Sequence, residues 1–179
     1  DYEGEAAPEP QDDGSGGHGT HVSGTVAGGD STGTHIGVAP NVTLQHAMVF
    51  DDYGIYGFGA EKSNIVRAIQ WGVSNDADVI TLSIGGDPDT SSIAAAENAR
   101  ANGVAIISSS GNSGDGTTTD PASVNNVTAI GATDSNKNIP SFSSGERFDP
   151  VNKYGSDASE WDDPQITPYV VAPGNNIYS

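Results

Sequence analysis

At 179 residues the chain is long enough for one domain with a real core. Its 24 Asp and Glu outnumber 6 Lys and Arg, giving a formal net charge of −18, which argues against binding to nucleic acid or anionic lipid. Cysteine is absent, which removes a disulfide scaffold, a thiolate zinc site and a cysteine nucleophile, and apolar runs of four residues (Ala47–Phe50, Val104–Ile107) are too short for a membrane span.

Residues 1–17 hold six acids (Asp1, Glu3, Glu5, Glu9, Asp12, Asp13), no base and two prolines. With only Tyr2, Ala6 and Ala7 apolar, they read as an irregular, solvated lead-in. No basic-then-apolar leader opens the chain, so for an exported protein that address is expected to be removed or to lie outside this sequence. From His18 the texture changes. His18–Ala27 reads as a short helix, with Val22 and Val26 one turn apart. Val42–Phe50 is rich in β-formers and predicts a strand. Ser63–Asn75 predicts a helix capped by Ser63, its Ile65, Ile69 and Val73 recurring at i, i+4, i+8. Asp78–Ile84 suits a buried strand running into Gly85-Gly86. Ser92–Asn102 is alanine-rich and helical, with Gly103 placed to stop it. Val104–Ser109, Val127–Ala132 and Pro168–Ala172 complete the strands, while Glu146–Gln165 reads as a polar loop with no functional reading.

Strands and helices in this alternation predict an α/β fold, built from right-handed βαβ units around a mostly parallel sheet flanked by helices. Ligands of such sheets gather at the carboxyl ends of the strands. Those ends are Ser83–Gly86 and Ser108–Gly116, both small, polar and glycine-rich, where a second backbone can approach closely.

Three segments bear chemistry. In GGHGTHVSGTVAGG (16–29), a histidine opening a helix after glycines is exposed and can serve as a general base, although most such histidines are plain surface residues. His18 and His21 also form an i, i+3 pair, but zincins use i, i+4 with an adjacent glutamate, which is missing here. In SSSGNSGDG (108–116), an asparagine in a glycine turn can aim its amide where negative charge develops on a carbonyl oxygen; the bland reading is a turn asparagine in a left-handed conformation. In TLSIGG (81–86), a strand ending in two glycines offers bare backbone to an extended peptide, or simply turns.

Taken in order, HGTHVSGT, GVAP (37–40), TLSIGG, SSSGNSG, DPAS (120–123), SFSS (141–144) and VVAPG (170–174) resemble the subtilisin-like serine proteases, the subtilases, over residues 18–179. The resemblance implies a subtilisin-like three-layer fold and a secreted serine endopeptidase acting on extended peptides. It implies that His18 is the triad base, that His21 is structural, and that Asn112 is the oxyanion-hole side chain. Ser83, Ile84, Gly85 and Gly86 resemble one wall of the primary specificity pocket, and Ser109, Ser110 and Gly111 the opposite wall. Gly57, Phe58 and Gly59 match the outer strand that pairs with substrate. Thr119 or Asp120 falls near the pocket floor. Peptide or protein substrates, and a propeptide that assists folding, are the partners implied.

The family's aspartate ends a hydrophobic strand before the histidine, and no such strand leads to Asp12 or Asp13. Its serine opens a helix in a GTS-type segment, which does not occur before Ser179. Residues 18–179 are therefore expected to be the central part of a catalytic domain, incomplete at both ends and inactive alone. Residues 29–35 match a loop that holds structural calcium in relatives, but Ser31 stands where a stronger oxygen ligand is usual, and no metal ligand is assigned. The resemblance implies no cofactor for the chemistry, with structural calcium still open for the whole protein. Two rival readings are a peptide-binding pseudoprotease and an acidic calcium-binding module; the latter would need repeated Asp-Gly ligand loops, and none occurs. The excess of carboxylates predicts a halophilic source, since salt shortens the Debye length from about 30 Å at 0.01 M to about 3 Å at 1 M and so damps their repulsion.

Overall fold

Short β-branched runs that recur beyond residue 78, each ending near glycine, become the strands of one parallel sheet in the computed structural model. The structure describes residues 16–30, 33–51, 59–60 and 62–178. The lead-in acids Asp12 and Asp13, the loop residue Ser31, the substrate-strand residues Gly57 and Phe58, and Ser179 lie outside them. Contacts divide the chain into two units, Asp1–Trp71 with Ile177–Ser179, and Gly72–Asn176.

In the first unit, α1 spans His18–Ala27 as the sequence predicts, entered through Gly17 in a left-handed conformation (φ 86°) that favours glycine. The carbonyls at its end are orphans in any helix. Here the GVAP segment takes them: Val38 N–H donates to Thr25 C=O (3.1 Å), Ala39 N–H to Val26 C=O (2.8 Å) and Gly37 N–H to Gly28 C=O (2.8 Å). Gly37 is buried against Gly28, where an added Cβ would sit 2.4 Å from the Gly28 nitrogen, so the motif requires glycine. The strand expected over Val42–Phe50 does not form. Residues 42–49 run irregularly with Val42, Leu44 and Met48 exposed, and pairing begins only at β1 (Phe50–Asp51), antiparallel to β2 (Gly59–Ala60). β-Propensity predicts a pleated surface only where a ladder partner is present to use it. Helix α2 runs Lys62–Ser74, so Ser63 lies inside the first turn and not at the cap.

In the second unit, β3 (Val79–Leu82), β4 (Ala105–Ser109), β5 (Thr128–Thr133) and the last strand of the chain, β8 (Val170–Pro173), lie side by side in that order, all parallel. Each starts or ends within two residues of its expected bounds. Helix α3 (Thr90–Ala101) crosses from β3 to β4 and buries Ile93, Ala95, Ala96 and Ala99. It starts two residues before the expected Ser92 because Asp89 caps it, accepting from Ser91 N–H at 2.7 Å. At the other end Gly103 (φ 80°) donates to Arg100 C=O and Val104 N–H to Ala99 C=O, a Schellman stop. The core lies along Leu82, Val104, Ile106, Val124, Val127 and Ala129.

The supposed loop over Glu146–Gln165 is structured. It contains β6 (Glu146–Phe148), α4 (Pro150–Tyr154), a tighter helical turn (Gly155–Ala158) and β7 (Gln165–Thr167), with β6 and β7 paired antiparallel. Its composition is polar, but Phe148, Tyr154 and Ala158 are buried, so a few well-placed apolar side chains are enough to fold it. Asp149 caps α4, accepting from Val151 N–H at 2.8 Å and Asn152 N–H at 3.1 Å.

Candidate active site

His18 opens α1 and is exposed, its ring edge-on to Phe50 at 6.5 Å between centroids and 85° between planes. Its first-turn position places an exposed side chain at the start of the helix. His21 lies one turn on, its Nδ1 3.4 Å from Thr25 Oγ1, which itself donates to His21 C=O at 3.0 Å. The two histidines thus have different settings, and only His18 stands at the helix mouth. His46, which the sequence did not single out, bonds Ser23 Oγ through Nδ1 at 3.1 Å and ties the irregular segment to α1.

Asn112 is exposed on the turn that leaves β4 and belongs to the second unit. That turn is laced to the SFSS segment. Ser144 N–H donates to Gly111 C=O (3.1 Å), Gly114 N–H to Phe142 C=O (3.0 Å) and Gly116 N–H to Gly145 C=O (2.7 Å). Side chains continue the lacing. Ser113 N–H donates to Ser144 Oγ (3.0 Å), which lies 2.9 Å from Thr117 Oγ1, and Thr117 donates to Gly114 C=O at 2.6 Å. One direction of protons satisfies every member, since Thr117 uses its hydrogen on Gly114 and must accept from Ser144. Gly111 (φ 118°) takes a conformation that L side chains rarely adopt, and a Cβ there would meet Ser144 Oγ at 2.9 Å. A turn fixed this way holds the backbone on either side of the exposed Asn112.

The expected pocket walls come together on one strip of chain. Thr119 N–H donates to Ser110 C=O (3.2 Å), while Gly86 and Asp120 exchange both backbone hydrogen bonds (3.1 and 2.9 Å). The strip 119–120 therefore joins Ser109–Gly111 on one side to Ser83–Gly86 on the other. Between the walls stands the Thr119 side chain. A Cβ on Gly85 would fall 2.3 Å from Thr119 Oγ1, so Gly85 is needed for Thr119 to fit, and one on Gly111 would press on Thr119 Cγ2 at 3.1 Å. Ser110 is buried and its hydroxyl donates to Ser144 C=O at 2.8 Å, leaving backbone as its contribution to the wall. Ile84 is half-buried, whereas Ser83, Gly85 and Gly86 are exposed.

Beneath the strip, Asp120 is buried, and burial pushes its carboxyl above the ordinary carboxylate value. Hydrogen bonds from the Tyr154 and Ser92 side chains and from Asp89 N–H pull the other way. Tyr154 is raised far above an ordinary phenol by the same burial and by the Asp120 charge.

The Subtilase family pattern matches residues 1–179. The chain belongs to the subtilase family. It is 42% identical over 133 residues to subtilisin DY of Bacillus licheniformis, covering 72% of this chain and 47% of that protein. It is 35% identical over 172 residues to Subtilisin Savinase of Lederbergia lenta, covering 96% of this chain and 55% of the relative. Among solved structures, the prenylagaramide maturation protease PagA superposes with TM-score 0.69 at 29% identity, over 89% of this chain and 52% of that one. The subtilase chain thus spans about half the length of these relatives, and its parallel sheet with flanking helices is the subtilisin-like fold. In the loop over 29–35 of this subtilase, the Gly29 C=O accepts from Ile36 N–H at 3.4 Å and the Asp30 C=O from Gly33 N–H at 2.7 Å. Among the described residues no cluster of three or more His, Asp or Glu is suited to a metal ion.

Proposed function

We propose that the protein carrying this chain is a subtilisin-type serine endopeptidase that hydrolyses extended polypeptides. Membership of the family supports the reaction class, and the observation that carries the residue assignment is the fixed turn at Asn112 beside the two glycine walls. His18 takes the proton from the attacking serine as general base and returns it to the leaving amine. Asn112 donates its amide to the oxygen that becomes negative in the tetrahedral intermediate. The backbone of Ser83–Gly86 and the segment Gly57–Gly59 pair with the peptide as strands do, and the side chain before the scissile bond enters between Gly85 and Gly111. Thr119 fills the far end of that slot and favours a small side chain there. The serine and the aspartate that orients the imidazole are not assigned within these 179 residues, so the 179 residues alone should not turn over. Export, a propeptide partner and a halophilic source belong to the same reading, the last resting on the charge of −18.

The deciding experiment offers peptide anilides to the whole protein and labels it with a fluorophosphonate. Hydrolysis and labelling, both lost in His18→Ala, are expected. A protein that binds peptides but does neither would be the non-catalytic binder instead. A melt from 0.05 to 2 M KCl tests the halophile assignment; the midpoint should rise, and a flat or falling midpoint removes that assignment alone.

A further inference from the structure

The segment from Glu146 to Thr167 folds on itself. Lys153 Nζ pairs with Glu146 Oε2 at 2.6 Å and lies 4.4 Å above the Phe148 ring, while Trp161 packs on Tyr154 with centroids 5.2 Å apart. One polar group of this segment reaches beyond it into the ground under the slot. The Tyr154 hydroxyl donates to Asp120 Oδ1 at 2.5 Å and lies 2.7 Å from Ser123 Oγ, both buried. The other Asp120 oxygen accepts from Asp89 N–H at 3.1 Å, at the cap of α3, and the Asp120 backbone is doubly bonded to Gly86. Asp120 therefore joins the Gly86 wall through its backbone to the start of α3 through its carboxyl, directly after Thr119 in the chain, and the phenol holds that carboxyl there. Packing alone would be served equally by phenylalanine. A buried hydroxyl aimed at a buried carboxyl, next to the residue that closes the slot, indicates positioning.

We propose that Tyr154 is a positioning residue for the substrate pocket: it clamps Asp120, and through Asp120 the Thr119 plug against Gly85 and Gly111, so that the 146–167 segment sets the size of side chain the slot admits. The proposal rests on the peptidase reading for its substrate, and on geometry alone for the clamp.

The test compares Tyr154→Phe with the unaltered whole protein on two peptide anilides that differ only in Ala or Phe before the scissile bond, together with amide hydrogen exchange. Loss of one hydrogen bond to a buried carboxyl should shift the Ala-to-Phe ratio of kcat/KM toward Phe by about tenfold, mainly through KM. Exchange at Gly86 and Asp120 should quicken while Ser110, which donates to Ile130 C=O in the β4–β5 region, keeps its rate. Asp120→Asn should move both readouts in the same direction and serves if Tyr154→Phe folds poorly. An unchanged ratio overturns the proposal whatever the exchange shows, and a changed ratio with unchanged exchange overturns the route through Asp120. If the unaltered protein cleaves neither peptide, the peptidase reading falls, and the clamp is judged by exchange, where unchanged rates at Gly86 and Asp120 overturn it.

Discussion

His18 and Asn112 both stand exposed beside glycines, yet the ground under them differs. α1 contains no buried residue, and its position depends on backbone capping by residues 37–39 and on the Gly28–Gly37 contact. Asn112 leaves a strand whose alternate residues Ile106, Ser108 and Ser110 are buried, and its turn is cross-linked by Ser144 and Thr117. One chemistry-bearing residue rests on main-chain capping with the single His46–Ser23 side-chain bond and the Phe50 ring beside it, and the other on core packing plus a side-chain network. The same sequence cue, a polar residue among glycines, is thus realised with and without a core beneath it.

The sharpest way to probe that difference is through function. In subtilisin, loss of the histidine costs about a million-fold in kcat, and loss of the oxyanion asparagine about a hundred- to a thousand-fold. Those magnitudes are taken over as the expectation for His18→Ala and Asn112→Ala in the whole protein, with folding intact because both side chains are exposed. Near-normal turnover in His18→Ala, or an effect of Asn112→Ala confined to KM, would remove that residue from its role.

Stability should separate the regions next. Ile106→Ala empties a core site that is 4% exposed and should lower stability by about 2–5 kcal/mol. Ile36→Ala, beside the glycine pair and only half-buried, should lower it by about 1 kcal/mol. Urea melts of both variants decide this, and equal losses would show that the α1 region has a core contact not evident in its burial.

Titration comes third. Asp120 is raised in the folded state, so between its unfolded and folded values the native protein binds more protons than the unfolded one. Its contribution to stability is therefore present in acid and is lost as pH rises through the folded value. Asp120→Asn cannot ionise. The stability difference between unaltered protein and variant should shrink with rising pH across that window, as measured by urea melts from pH 3 to 8. A constant difference would mean that the carboxyl keeps one protonation state throughout. Asp134 slopes the other way, because the backbone N–H of Asn138 stabilises its charge, and it loses its contribution as pH falls.

The smallest effect belongs to Thr167, whose buried Oγ1 has no hydrogen-bond partner among the described residues. Thr167→Val keeps the shape and removes that orphan hydroxyl, so stability should be unchanged or rise by up to about 1 kcal/mol. A loss above that amount would reveal a partner for the hydroxyl.

Legibility in the sequence followed local causes. α1, α3 with its Gly103 stop, and the four parallel strands were readable because apolar spacing and punctuation agreed within each segment. Val42–Phe50 departs from its β-propensity because, among the described residues, no strand pairs with 42–49. The 146–167 segment is not legible because its buried side chains, Phe148, Tyr154 and Ala158, are few and follow neither a helix nor a strand period, and the Tyr154–Asp120 bond spans 34 positions, which no window contains. At the candidate site, the glycines of 83–86 and 109–111 are legible as bare backbone, and the choice the sequence leaves open between Thr119 and Asp120 is a matter of packing: Thr119 is the side chain that lies against Gly85 and Gly111. The Ser144 lacing was invisible for the same reason, since SFSS by itself is merely a small polar turn.

The Schellman stop at Gly103 has a further consequence, in the arithmetic of length. It fixes where β4 begins, and side chains then alternate: Val104, Ile106, Ser108 and Ser110 inward, Ala105, Ile107 and Ser109 toward the other side. An insertion or deletion of one residue between Gly103 and Ser110 would exchange the two sets, pointing Ser110 away from Ser144 and turning Ser109 inward. Substitutions at single positions leave that phase untouched. A change of two residues would restore it, but would carry Asn112 about 6.6 Å along the strand axis, beyond the reach of the lacing that holds its turn.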